Sequence, residues 1–441
     1  MSLTILCVGA GFGDEGKGSI VDFLARKHRA KTVVRFNGGP QAGHRVVTSD
    51  GKEHVFSQFG AGTLAGARTH LSRFCLVNPI SMVAEGNHLV DLGVSDAFER
   101  VTIEEDALVV TPFHVSLNRI RELSRGNGRH GSCGMGIGET VAHSVAHPEQ
   151  AIRARDLLTS EQLKDRLAAI RQQALNEAES LVDASQNEAA YNEMVFLKGT
   201  TVVRVYERFQ EALGRGVRIV SDDYLPYYMR EGNFVFEGAQ GVLLDEEWGF
   251  HPHTTRSNCT YDNANRLLGP HYSGEITRIA VLRAYHTRHG AGPFPTEVES
   301  GPTDPRNTTN AWQQSFRVGD FDFMLARYAR NVLGHIDAVA LGHLDQVTWP
   351  TNVGISYKVP EKWTPGPYQK EIPLVPRRYY EEDLASHQRR GAEYQHPLYE
   401  VSPVLKKIDR QERLVYEVAQ AMKAPVTITS YGPTAEDKHA I

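Results

Sequence analysis

A carboxylate and an ammonium set among glycines, Asp14 and Lys17, are the residues of this chain best placed to do chemistry. They lie in GFGDEGKG, from Gly11 to Gly18, behind an apolar run at Leu3 to Val8 and ahead of an amphipathic helix start at Ile20 to Ala25. Strand, glycine-rich loop and helix in that order make a phosphate site, because loop N–H groups and the positive end of the helix both face an anion. Gly11, Gly13 and Gly16 satisfy the dinucleotide fingerprint GxGxxG, yet Asp14 and Glu15 between the last two glycines would repel a pyrophosphate unless a cation intervened. GxxxxGK from Gly11 to Lys17 fits better, since Lys17 follows the last glycine and can neutralise outer phosphates. Gly18 stands where such loops carry the Ser or Thr that holds Mg2+. The metal then needs another hard oxygen donor, and Asp14 is the obvious one.

A second glycine-rich loop, Asn37 to Val46 (NGGPQAGHRV), leaves the strand read at Lys31 to Phe36 and can carry His44 over phosphates held by the first. A third, Gly126 to Gly138, has no apolar periodicity and reads as a loop that orders on ligand binding, with Ser132 and Cys133 turned to the ligand. EGAQG at Glu237 to Gly241 ends a buried strand at Asn233 to Phe236, where open α/β sheets bind ligands. Hydroxyls follow at Thr254, Thr255 and Ser257. The pair His251 and His253 lacks a third ligand at suitable spacing, so no zinc site is expected there.

The elements that must position these loops read as an α/β fold, a P-loop-like and mostly parallel central sheet flanked by helices. It is expected as a single domain over 1–441, with a helical lobe at about 150–225 and a peripheral antiparallel excursion at about 347–404. Leu163, Leu167, Ile170, Ala174 and Ala178 repeat at helical spacing behind Thr159 and Ser160, and Val203 to Leu213 continue to a stop at Gly214. Further strands are read at Ile103 to Val110, Ile276 to Tyr285, Ala338 to Leu344 and, last, Val426 to Ile428. Further helices are read at Asp322 to Val332 and Ile408 to Met422, and a loop over Arg306 to Gly319. A net charge of −5 without a basic run argues against nucleic acid. Cys7, Cys75, Cys133 and Cys259 form no CxxC pair, consistent with reduced thiols in the cytoplasm, and neither a membrane span nor a secretory leader is read.

GFGDEGKG, VVRFNGGPQAGH (Val33 to His44), FEGAQGVLLD (Phe236 to Asp245), TTRSNCT (Thr254 to Thr260), GAGPFPTE (Gly290 to Glu297) and a final SYGP (Ser430 to Pro433) together resemble the adenylosuccinate synthetase family, in its order and across nearly the whole chain. The resemblance implies a GTP-dependent ligase joining aspartate to C6 of inosine monophosphate, in a homodimer with Mg2+. It makes Asp14 the base for the purine N1 and a metal ligand beside the carbonyl of Gly43. His44 becomes the general acid, aided by Lys17, and Gln240 the holder of the purine near O6. The donor nucleotide falls to Gly13, Glu15, Gly16, Lys17 and Gly18, then to Gly43, His44 and Arg45, with the base at His343, Asp345, Ser430 and Gly432. The acceptor and the amino acid fall to Asn37, Gln41, Ser132, Cys133 and Thr255, and to Thr308, Thr309 and Arg317.

Several positions depart from the family's pattern. Ala311 stands for an arginine that reaches the ribose and the amino acid, which removes charge-assisted bonds of about 1.5–3 kcal/mol each unless Arg317 compensates. His147 stands for the phosphate arginine expected across the dimer, His343 for a lysine, Pro40 and Gln41 for an Asn pair, and His289 for a small apolar residue beside the purine. Both catalytic residues stay while the recognition shell changes. The expectation is therefore the same reaction type, with room for a 2-amino or deoxy purine, another amine, or ATP as donor. A non-catalytic GTP-binding regulator would need neither His44 nor Gln240, and a dinucleotide enzyme would need an acid where the second strand runs into Arg35 to Gly39.

Overall fold

The apolar run near the N-terminus forms strand β1, Leu3–Gly9, buried at every position but its first. A strand buried on both faces needs partners at both edges and layers on both sides, as in parallel sheets. The structure, a computed structural model, describes residues 2–302, 312, 315–358, 378 and 397–441. Its central sheet has ten strands among the described residues. In chain order they are β1, β2 (Thr32–Arg35), β3 (Arg68–Leu71), β4 (Val101–Glu104), β5 (Arg218–Val220), β6 (Phe234–Glu237), β7 (Glu275–Arg283), β8 (Ala338–Gly342), β9 (Val426–Ser430) and β10 (Lys438–Ala440). Across the sheet they run β10-β9-β8-β7-β1-β6-β2-β3-β4-β5. Every pairing is parallel except that of β9 with β10. The fold is the mixed α/β architecture expected. Because β2, β6, β1, β7 and β8 are neighbours, the loops leaving their carboxyl ends converge on one edge of the sheet.

Seven helices bear on the site and on the helical lobe: α1 (Lys17–Lys27), α2 (Pro79–Asp91), α3 (Pro112–Ser124), α4 (Ile137–Ala146), α5 (Ser160–Ser185), α6 (Glu188–Gly199) and α7 (Val202–Gly214). The stripe read on α5 is its buried face, Leu163, Leu167, Ile170, Ala174 and Ala178, and it shares a core with residues of α3, α6 and α7. Asn187 and Thr201 cap α6 and α7 through their side chains, whereas Thr159, at the N-cap of α5, makes no such bond.

Some boundaries differ from the sequence reading. Strand β4 stops at Glu104 because Ala107 turns back onto the Glu104 carbonyl at 3.0 Å, and Val109 rejoins only as a bridge to Val77. Ile408 closes a strand, Ser402–Ile408, and the helix begins at Gln411. Part of the expected loop, Phe316–Gly319, pairs antiparallel with His286–His289, while 303–311 lies outside the described residues. Most of the excursion also lies outside them; its described flanks, Thr351–Lys358 and Ser402–Ile408, pair antiparallel. Beyond β9, read as the last strand, β10 adds an edge that a short, polar sequence did not signal.

Asp322 ties a helix to a strand within one core. Its Oδ1 accepts the Met324 and Leu325 N–H groups, capping the helix Phe323–Leu333, and its Oδ2 accepts the Tyr357 hydroxyl at 2.8 Å. Burial pushes its carboxyl up from 3.8 to about 6, against the pull of those donors. The folded state therefore holds the proton more tightly than the unfolded chain, so ionisation weakens the fold as pH rises through that window. Relative to Asp322→Asn, wild-type stability should fall by about 1.4 kcal/mol per pH unit across it and level off above it, as read by urea unfolding at stepped pH.

Candidate functional site

The first loop separates its two carboxylates. Gly16, at φ 82°, is the N-cap of α1. Glu15 turns inward: its Oε1 accepts the Gly13 N–H at 2.8 Å and its Oε2 accepts Lys17 Nζ at 2.8 Å, while Nζ also donates to the Gly13 carbonyl at 2.7 Å. A Cβ on Gly11 or Gly241 would lie 2.7 or 2.8 Å from Glu15 Oε1, so the glycines there make room for a carboxylate of the protein itself. Lys17, expected to face outer phosphates, is instead tied into the loop, because a buried ammonium needs a counter-charge and Glu15 is adjacent. Asp14 alone of the pair faces out.

It faces a cavity of about 1020 Å³ whose wall includes Asp14, Gln41, Gly43, His44, Ser132, Cys133, Gln240 and Thr255. Of the expected residues, these come together. Arg283 fixes the loop by donating to the Asp14 carbonyl at 3.1 Å, and His289 Nε2 lies 3.5 Å from Asp14 Oδ2. His44 donates its Nδ1 proton to Glu237 Oε1 at 2.5 Å, which leaves Nε2 as the other ring nitrogen. Burial drives the imidazole's pKa below its ordinary value, against the opposing pull of Glu237. Burial alone would raise Glu237, but His44 and then Arg35 outweigh it and hold the carboxyl low. Gln240, at φ 54°, has a buried Oε1 with no partner among the described residues, and both amide atoms of Gln41 are in the same state.

Other expected residues are committed elsewhere. Both ends of the Asn37 amide bind the Ala239 backbone, at 2.7 and 3.0 Å, which locks the loops after β2 and β6 together. Arg45 makes a two-pronged pair with Glu53 at 2.7 and 3.0 Å. Arg317 holds the Gly290 and Gly292 carbonyls and Glu297, so it braces a turn and is not free to replace a lost arginine. Thr308 and Thr309 lie outside the described residues. Ser132 exchanges bonds with Asn118, and burial raises the Cys133 thiol to about 11, so it is neutral.

A second cluster forms at the carboxyl ends of β8 and β9. His343 (φ 63°) sits so close to Gly16 that a Cβ there would be 2.9 Å from its Cε1. Burial, with Arg283 and Lys438, drives His343 well below its ordinary pKa, so it is neutral. Ser430 Oγ donates to the Gly432 carbonyl, which also accepts Lys438 Nζ at 2.8 Å, and Asp345 is exposed nearby. Sequence reasoning gave no role to Glu237 or Lys438. The signal for Glu237 was present, an acid at a buried strand's end; β10, which delivers Lys438, had none.

Among the described residues no group of three or more His, Cys, Asp and Glu side chains is arranged to hold a metal. One half-buried carboxylate on the cavity wall, Asp14, with the Gly43 backbone on the same wall is the sparse oxygen set that suits Mg2+, which keeps waters and shares phosphate ligands.

Comparison with known proteins gives the same reading. The family model for adenylosuccinate synthetase matches residues 6–439. Adenylosuccinate synthetase of Neisseria gonorrhoeae is 34% identical over 301 residues, 68% of this chain and 66%, just under two thirds, of that protein. Among solved structures, fully ligated adenylosuccinate synthetase from Plasmodium falciparum superposes with a TM-score of 0.74 at 19% identity, over 99% of both chains. Succinoaminodeoxyadenylate synthetase of cyanophage S-2L, bound to dGMP and to dATP as an energy donor, does so with a TM-score of 0.60 at 16% identity, over 100% of this chain and 95% of that one. Identities this low speak for the fold alone, but the family match spans nearly the whole sequence: the chain belongs to the adenylosuccinate synthetase family of C–N ligases.

Proposed function

We propose that the protein joins L-aspartate to C6 of inosine monophosphate with GTP as phosphoryl donor, giving adenylosuccinate, GDP and phosphate. One observation carries this reading: Asp14 and a His44 locked by Glu237 line the same cavity, on the loops after β1 and β2 to either side of β6, with Gln240 on its wall. A purine 6-oxo group is a poor nucleophile and a poor leaving group, and the reaction answers both problems in sequence. Asp14 takes the N1 proton, the N1–H electron pair moves into the ring, and O6 becomes nucleophilic. O6 then attacks the γ-phosphorus and the bond to the bridging oxygen breaks, releasing GDP. In the imidazolium form, which the negative charge of the bound triphosphate favours, His44 stays bonded to Glu237 through Nδ1 and donates from Nε2 to that departing oxygen. The aspartate amine adds at C6, the C6–O6 bond breaks, and phosphate leaves with O6 while the amine's proton passes to solvent or phosphate. Gln240 holds the purine edge. Asp14 and the Gly43 carbonyl would hold Mg2+, which would supply charge neutralisation on the phosphates.

The donor base falls to Asp345, Ser430, Gly432 and His343, beside the loop that bears Lys17. Thr255, Gln41 and Cys133 face the acceptor. A homodimer belongs to this reading, and four free cysteines suit the cytoplasm. No described helix is long and apolar enough to cross a membrane.

A second reading keeps the chemistry and changes a substrate: a 2-amino or deoxy purine monophosphate, another amine, or ATP as donor. Neutral His343 on the donor side and the immobilised Arg317 favour it, and the phage fold neighbour binds dGMP and dATP. Phosphate release on a panel of purine monophosphates, GTP or ATP, and several amino acids separates the two. Efficient turnover of inosine monophosphate and aspartate alone supports the first reading, and turnover of an analogue in their place sinks it. Asp14→Asn should lower kcat by roughly 10²–10⁴-fold without loss of folding; wild-type rates would remove Asp14 as base. Glu237→Gln should lower kcat by roughly tenfold or more while leaving the KM of the acceptor nearly unchanged, because it frees the His44 ring and not the purine.

A further inference from the structure

Four arginines line the cavity, Arg121, Arg125, Arg256 and Arg288, and three are engaged. Arg121 pairs with Glu139 at 2.7 Å, Arg125 with Glu122 at 2.5 Å, and Arg288 donates to the carbonyls of Ala291, Pro293 and His253. Arg256 has neither a hydrogen bond nor an ion pair with any described residue, although its backbone is held firmly on both sides. The Thr255 N–H binds the Leu244 carbonyl at 2.8 Å, and Ser257 Oγ accepts the Gly38 N–H at 2.9 Å. A Cβ on Gly138 would lie 3.9 Å from Arg256 Cγ, so the arginine's stem runs beside the first turn of α4. That turn has no side-chain cap, its N-cap Gly136 is left-handed, and Ile137 and Gly138 face the cavity. An unengaged guanidinium on a held backbone, its stem beside an uncapped helix start, with the Thr255 hydroxyl and the unpartnered Gln41 amide on the same wall, is a set of donors lacking an acceptor.

We infer that Arg256 is the residue that selects a phosphorylated acceptor, its guanidinium and the first N–H groups of α4 together taking the 5′-phosphate of the purine nucleotide. A phosphomonoester has three terminal oxygens for donors arriving from several elements, whereas a carboxylate has two. Of the four acids on the cavity wall, Glu139 and Glu122 already neutralise Arg121 and Arg125, leaving Asp14 and Glu246, and the Cys133 thiol is uncharged. The assignment deepens the ligase reading and rests on it for the purine. It also supplies, within one chain, the cation for which His147 is a poor substitute.

Calorimetric binding of inosine and deoxyguanosine, and of their 5′-monophosphates, to the full-length wild type, Arg256→Ala and Arg256→Lys tests it apart from turnover. The wild type should bind a monophosphate at least tenfold tighter than its nucleoside. Arg256→Ala should lose that advantage without changing nucleoside affinity, and Arg256→Lys should recover part of it. Unchanged monophosphate affinity in Arg256→Ala, or an equal loss for the nucleoside, would each overturn the assignment and leave the ligase reading standing. Failure of the wild type to bind any of the four would overturn the purine reading itself, and this assignment with it.

Discussion

One buried carboxylate organises the reactive edge of this sheet. Glu237, at the end of β6, is fully buried; it receives His44 from the loop after β2, accepts the Ala61 N–H at 3.0 Å, and lies 4.0 Å from the Arg35 guanidinium. A charge taken out of water is tolerated only when its surroundings answer it on several sides. That requirement brings two strands and two loops into a single arrangement. The imidazole's orientation, and with it the geometry of the cavity wall, follows from the need to satisfy an acid that cannot reach solvent.

The first loop applies the same rule in reverse. Two adjacent acids, Asp14 and Glu15, have opposite fates because the glycines around them leave a niche on one side only. Glu15 fills it and is matched by Lys17, whereas Asp14 stays on the cavity wall. The inward acid makes the loop rigid, and the outward acid can do chemistry on that rigid base. A loop of this composition is therefore closer to a folded miniature core than to a flexible cradle.

Much of this was legible in the sequence, for identifiable reasons. Strands buried on both faces announce themselves as apolar runs, and Leu3 to Val8 and Ala338 to Leu344 were placed nearly to the residue. The stripe on α5 was equally plain because helical periodicity over many residues is hard to imitate. The glycine loops marked the sheet's carboxyl edge. What the sequence hid was commitment: nothing in the letters says that Asn37 binds Ala239, that Arg45 binds Glu53, or that Lys17 turns inward. Such choices depend on neighbours from distant segments, and a polar side chain carries no periodicity to betray them. The short edge strand β10 escaped for a related reason, since its Lys, His and Ala have weak strand preference and gain their form from β9.

The contact between His343 and Gly16 ties two ends of the molecule's work together. Because a ring on the loop after β8 rests directly against the turn that starts α1, the loops leaving β1 and β8 form one mechanical unit. A bulkier ring at 343 would push the glycine turn, and any side chain at 16 would push the ring. The seam therefore couples the two loops sterically, and a change on either side of it is felt on the other.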